Sequence, residues 1–139
     1  MSKLAVVYWS GTGNTETMAN AVKSGAQAAG AEVGLFKADE FHENMVDNFD
    51  AIAFGCPAMG ADELEETEFA PMFRSMEGKL PGKTIGLFGS YGWGGGEWMN
   101  TWEDDCKSLG ANLIFDSIIC NDAPDEEALE KCEELGKVL

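Results

Sequence analysis

The chain has 139 residues, and 25 aspartates and glutamates against 9 lysines and arginines give it a formal charge of -16. That length is what one domain with one filled core requires, and a surface so acidic repels nucleic acid and anionic membranes while attracting basic partners. No apolar run approaches the roughly 18 residues of a membrane span. Met1-Ser2-Lys3-Leu4 runs directly into an apolar segment without signal-peptide anatomy, and Cys56, Cys106, Cys120 and Cys132 stand far apart with no CxxC pair. Free thiols in a reducing cytoplasm are therefore expected, not a disulfide framework or a zinc site.

In chain order, Leu4-Ala5-Val6-Val7-Tyr8-Trp9 is a continuous apolar run, as in a strand buried on both faces. Met18, Ala21, Val22, Gly25, Ala26 and Ala29 follow at helical spacing, and Gly30 stops that helix. Ala31 to Phe36 alternates like a strand with one wetter face. Ala51-Ile52-Ala53-Phe54-Gly55 is a third, short buried strand. Leu64, Phe69, Met72 and Phe73 suggest a short helix or an extended turn region, with Pro71 inside it. Lys83 to Phe88 forms a fourth strand and leads into the glycine-rich Gly89-Ser90-Tyr91-Gly92-Trp93-Gly94-Gly95-Gly96. Trp98, Trp102, Cys106 and Leu109 step along a helix that Gly110 ends, Ala111 to Cys120 supplies a fifth strand, and Asp125 to Val138 a last helix.

Strands alternating with helices predict right-handed crossovers and an α/β, doubly wound parallel sheet covered on both faces, forming one domain over 1–139. An order of 2-1-3-4-5 would bring three loops together beyond the carboxyl ends of the strands, where ligands of such sheets sit: residues 10–15, 56–63 and 89–98.

The first loop, Ser10-Gly11-Thr12-Gly13-Asn14-Thr15, feeds a helix N-terminus, whose amides and dipole favour an anion. Ser10, Thr12, Asn14 and Thr15 add neutral donors. The lysine of a GxxxxGK[ST] loop is missing, and Glu16 stands where a dinucleotide GxGxxG would place its last glycine. The alternative is that the hydroxyls only cap the helix, but capping needs one of them. Four donors in six residues instead suit a terminal phosphate monoester. Trp93, among glycines too small to cover it, offers its face to something flat, and Met59 could cover the opposite face. A planar ring between them with one terminal phosphate describes flavin mononucleotide (FMN). Packing of Trp93 in the core is the competing reading.

The stretches Tyr8-Trp9-Ser10-Gly11-Thr12-Gly13-Asn14-Thr15-Glu16, Gly55-Cys56-Pro57-Ala58-Met59-Gly60, Gly89-Ser90-Tyr91-Gly92-Trp93-Gly94 and Pro124-Asp125-Glu126-Glu127 resemble a short-chain flavodoxin, similar to those of anaerobic bacteria. The resemblance covers essentially the whole chain. It implies a five-stranded parallel sheet between helices and noncovalent FMN. Ser10, Thr12, Gly13, Asn14 and Thr15 would bind the phosphate, and Met59 and Trp93 would flank the ring. Gly60 would turn a carbonyl to flavin N5, and Ser90, Tyr91 and Gly92 would line the pyrimidine side. Gly11, Pro57, Ala58 and Asn121 complete the candidate set.

Two positions depart from the family pattern. Asp62, with Glu63 beside it, stands where members often place a glutamate against flavin N3–H. Ala61 follows Gly60 where related proteins commonly have glycine, aspartate or asparagine. Long-chain members carry an insertion in the fifth strand, for which this sequence has no room.

Cys56 reads as a small core residue, since no basic neighbour would activate it. His42, the only histidine, lies in a polar connection, and Trp98 and Trp102 read as core. The run Asp62-Glu63-Leu64-Glu65-Glu66-Thr67-Glu68 reads as a solvated acidic face. Placed beside the flavin, it also makes added electrons costly, which predicts a low-potential carrier. The expected role is single-electron transfer between redox enzymes, with no substrate of the protein's own, by a cytoplasmic monomer that docks transiently on basic partners. An NAD(P)H-dependent FMN reductase or quinone reductase of the same fold is the alternative, and it lacks a second nucleotide site. A phosphorelay receiver would need an aspartate where Gly55-Cys56-Pro57 stands.

Overall fold

The structure is a computed structural model, and it describes residues 3–11, 13–58, 64–92 and 96–139. The elements run β1 (Lys3–Tyr8), α1 (Asn14–Ala28), β2 (Glu32–Lys37), β3 (Ala51–Gly55), α2 (Phe69–Ser75), β4 (Thr84–Tyr91), α3 (Glu97–Ser108), β5 (Asn112–Leu113), β6 (Ile118–Asn121) and α4 (Glu126–Val138). Short 3-10 turns at Ala38–Glu40, Glu43–Asn48 and Glu77–Lys79 lie between them. The sheet is parallel throughout, in the order β2-β1-β3-β4-β5, with β6 also on β4.

Alternation along the strands sorts the side chains onto two faces. Leu4, Val6, Tyr8, Ala51, Ala53 and Phe88 pack with Met18, Val22, Cys132 and Leu135 of α1 and α4. Ala5, Val7, Ile52, Phe54, Ile85 and Leu87 pack with Phe69 and Phe73 of α2 and Trp98 and Trp102 of α3. Each central strand thus feeds both layers, which is why its sequence reads as an unbroken apolar run. His42 is exposed, while Trp98 and Trp102 are buried, as their contexts imply.

Helix ends follow from glycine. Gly30 (φ 92°) and Gly110 (φ 82°) occupy left-handed positions that side chains resist. After α1, the Gly30 and Ala31 amides donate to the carbonyls of Gln27 and Ala26 at 3.0 Å each, and the end of α3 repeats this pattern. Pro71 sits in the first turn of α2, where its missing N–H costs no helical bond.

The fifth strand differs from the sequence expectation of one run over Ala111–Cys120. It is broken: β5 pairs with the first half of β4 (Thr84↔Asn112, Ile85↔Leu113), and β6 pairs with the second half (Phe88↔Ile118 to Tyr91↔Asn121). Residues 114–117 leave the ladder, and Ile114 is exposed.

The α1–α4 crossing is built on close backbone approach. A Cβ on Gly25 would lie 2.0 Å from the Glu133 carbonyl oxygen, and one on Gly136 would lie 2.1 Å from that of Val22. Alanine in a helix interior gains about 1 kcal/mol over glycine from propensity, whereas forcing these helices apart costs about 1–3 kcal/mol. Gly25→Ala is therefore expected to lower stability by about 1 kcal/mol net, read as an earlier urea midpoint. A later midpoint would show that the helices separate freely.

Candidate functional site

The carboxyl ends of β1, β3 and β4 lie side by side, and their pairing extends past the strands into the loops. The Trp9 amide donates to the Gly55 carbonyl at 3.0 Å, the Cys56 amide to Phe88 at 3.1 Å, and the Ala58 amide to Ser90 at 3.0 Å. The Asp122 amide donates to Tyr91 at 2.7 Å. These bonds frame a cleft of about 210 Å³ lined by Trp9, Gly11, Asn14, Pro57, Ala58, Ser90, Tyr91, Gly92 and Asp122.

Of the sequence-predicted residues, the cleft brings together Gly11, Asn14, Pro57, Ala58, Ser90, Tyr91 and Gly92. Thr15 lies buried with its hydroxyl 3.5 Å from that of Ser90, and the Ser10 hydroxyl accepts the Gly13 amide at 3.0 Å. Asn121 pairs with Tyr91 in the ladder, but it is Asp122 that reaches the cleft. Thr12, Met59, Gly60, Asp62 and Trp93, with Ala61 and Glu63, lie outside the described residues.

Two lining residues go beyond the sequence reading. Trp9, at the end of β1, holds its place by donating Nε1–H to Glu68 Oε1 at 3.1 Å. Asp122 has φ 56°, the left-handed region that aspartate tolerates better than most residues. The adjoining pair Asn121-Asp122 after an apolar run was the available turn signal for it.

At the first loop, Gly13 caps α1 with φ 96°, and no side chain caps the helix start. Its first-turn amides, which have no partners within a helix, point where an anion would sit. The described lining residues include no lysine or arginine, so an anion here is held by neutral donors. The cleft walls, Trp9, Pro57, Ala58 and Tyr91, are flat or apolar, as an aromatic ring system demands. This arrangement fits a phosphate-bearing planar cofactor such as FMN.

The segment between the second loop and α2 is anchored by a buried carboxylate, which corrects the reading of Glu65 as part of a solvated face. Glu65 is 5% exposed. Its Oε1 accepts the amides of Glu68 at 2.7 Å and Phe69 at 2.9 Å, and its Oε2 accepts the Thr67 amide at 2.8 Å and the Thr67 hydroxyl. Burial raises its pKa, but these donors outweigh burial and hold the carboxyl below its usual range. Its charge is directed into the start of α2, so it is not the free charge facing the cofactor that the sequence suggested. The Glu65 amide in turn donates to Cys56 Sγ at 3.4 Å, and Trp98 Nε1–H donates to the Cys56 carbonyl at 3.3 Å.

Cys56 is fully buried, and burial pushes its thiol far up despite the Glu65 amide. Burial likewise raises Cys106 and Cys132 to about 12 and Cys120 to about 11. All four stay protonated at neutral pH, which removes thiolate chemistry from the site. Among the described residues no group of three or more histidine, cysteine or acidic side chains is placed to hold a metal, and no helix is long and apolar enough to cross a membrane.

Comparison with known proteins agrees with this geometry. The flavodoxin family model matches residues 6–136. The chain is 46% identical to the flavodoxin of Megasphaera elsdenii over 132 residues, covering 95% of this chain and 94% of that protein. It is 40% identical to the flavodoxin of Clostridium beijerinckii over 136 residues, covering 98% of each. The solution structure of two-electron reduced M. elsdenii flavodoxin matches with a TM-score of 0.89, at 46% identity and 96% coverage of both chains. Sheet order, cleft and kinship thus converge, and the chain belongs to the flavodoxin family of FMN-binding electron carriers.

Proposed function

We propose that residues 1–139 act as one FMN-binding domain whose cleft holds the cofactor by its phosphate at α1. The observation that carries this reading is the uncapped start of α1 at Gly13, opening on a cleft whose described lining has no cation. Ser10, Thr12, Asn14 and Thr15 supply hydroxyl and amide donors there, with Gly11 and Gly13 keeping the backbone bare. Pro57, Ala58, Met59, Gly60 and Asp62 on one loop, and Ser90, Tyr91, Gly92 and Trp93 on another, enclose the ring, with Ser90, Tyr91 and Gly92 at the pyrimidine side and Asn121 completing the set. Asp122 joins this set through its place in the cleft.

Bound FMN supplies one-electron chemistry that no side chain of the protein provides. The chain's own residues bind the phosphate, orient the ring, exclude water from its faces and set the charge around it. Binding of FMN, riboflavin and FAD, followed by fluorescence, tests the reading: FMN should bind far more tightly than riboflavin. Equal affinity for the two would remove the phosphate assignment.

The partners are redox enzymes that present a basic surface, met by a cytoplasmic monomer in a small, short-lived interface. The charge of -16 supports this reading. Electron transfer to such a partner is expected to slow steadily as salt rises, since the screening length falls to about 8 Å near physiological ionic strength. A rate that stays flat across the salt series would eliminate electrostatic docking. NADPH alone should leave the yellow protein unbleached, as a carrier without a nicotinamide site requires.

A further inference from the structure

Glu16 stands at the third helical position of α1, in the turn where phosphate is read to bind. A glutamate there ordinarily reaches back to the N-cap amide, here that of Gly13. In this chain its Oε2 accepts the Tyr8 hydroxyl at 3.0 Å instead. Tyr8 is the last residue of β1 and is 5% exposed, so the strand and the layer beneath α1 hold its ring in place. Burial, and then the Glu16 carboxylate, raise the Tyr8 hydroxyl to about 12, which keeps it a donor. The Gly13 amide is taken by Ser10 Oγ, and no side chain caps the helix.

This matters because the first loop contains no lysine or arginine to offset a misplaced acid. A carboxylate folded back on the helix start would occupy the positive end of the helix that the phosphate needs and would also repel the phosphate. We propose that Tyr8 is a positioning residue of the phosphate subsite, drawing the Glu16 carboxylate aside so that the first-turn amides of α1 stay open to the anion. The proposal rests on the assignment of that subsite to the start of α1.

Tyr8→Phe keeps the ring and removes only the donor. Dissociation constants of the full chain for FMN and riboflavin, with Glu16→Gln and the double variant alongside, provide the test. Tyr8→Phe should raise the FMN constant by about tenfold, the scale of one hydrogen bond involving a charged group, and leave riboflavin binding unchanged. Glu16→Gln should bind FMN at least as tightly as the unaltered chain, and Tyr8→Phe with Glu16→Gln should recover that affinity. Equal losses for FMN and riboflavin in Tyr8→Phe would reduce Tyr8 to a packing role and overturn the proposal. So would a double variant as weak as Tyr8→Phe, or a Tyr8→Phe protein indistinguishable from the original. Riboflavin binding as tightly as FMN in the unaltered chain would instead remove the subsite itself, whatever Tyr8 does.

Discussion

Replacing Thr12 and Thr15 together with alanine is expected to weaken FMN binding by about 3–6 kcal/mol, at about 1.5–3 kcal/mol for each hydrogen bond to a charged group. Thr15 is the better defined of the two. Its side chain is 1% exposed, and its hydroxyl has one long contact, 3.5 Å to Ser90 Oγ. A buried hydroxyl held so loosely retains the capacity to donate to an anion at the start of α1, which is where alanine would remove it. Riboflavin has no phosphate, so its affinity should change little in the same variants. Fluorescence titration of each variant with both flavins separates the cases, and parallel losses for the two flavins would mean that the threonines support packing and not the phosphate.

The second large effect belongs to Glu65. Glu65→Ala is expected to destabilise the protein by about 1–3 kcal/mol, because the buried Phe69 amide loses its acceptor at about that cost, while the donors of Thr67 and Glu68, on exposed residues, can turn to water. Glu65→Gln should fall between, since its amide oxygen retains part of the acceptor role. The pH dependence has a definite sign. The folded-state pKa of Glu65 is held down, so its contribution is complete above the unfolded-state value of about 4.3 and is lost as pH falls through the lower, folded-state value. The unaltered protein should therefore lose stability more steeply than Glu65→Gln as pH falls below about 4. Identical pH profiles in urea unfolding would show that the carboxylate contributes no differential stability.

Why Glu65 escaped the sequence reading is a matter of distance along the chain. Seven residues from Asp62 to Glu68 include five acids, and composition alone favours a solvated face. Burial is decided by where Thr67, Glu68 and Phe69 turn their amides, and that depends on α2 docking through Phe69 and Phe73. The fifth strand failed for a related reason. Ala111 to Cys120 is rich in strand formers and has no glycine or proline to mark its break, and Asp116-Ser117 is the one local sign that 114–117 leave the ladder. By contrast, the buried runs of β1 and β3, the glycine stops at Gly30 and Gly110, and the burial of Cys56, Trp98 and Trp102 were all legible, because each depends on periodicity or on backbone freedom at one residue. Of the candidate residues in the first and last loops, Gly11, Asn14, Ser90, Tyr91 and Gly92 line the cleft that the structure describes. Trp9 and Asp122 were not among the candidates: the bond that holds Trp9 to Glu68 forms only in the folded chain, and Asn121-Asp122 signals a turn but not its place in the cleft.

The divided pairing of β4 also decides where this chain can be lengthened. Thr84 and Ile85 are held by β5, and Phe88 to Tyr91, at the cleft end of the strand, are held separately by β6. A foreign peptide grafted between Leu113 and Ile118 would enter the gap between two independently registered segments, at a point where the side chain of Ile114 already faces solvent. Neither register would have to slip, and closing a longer surface loop costs only about 0.6 kcal/mol per doubling of its length. The gap is thus a natural attachment point for a tether or an affinity tag, at the edge of the sheet and separated by β6 from the cleft-lining Asp122.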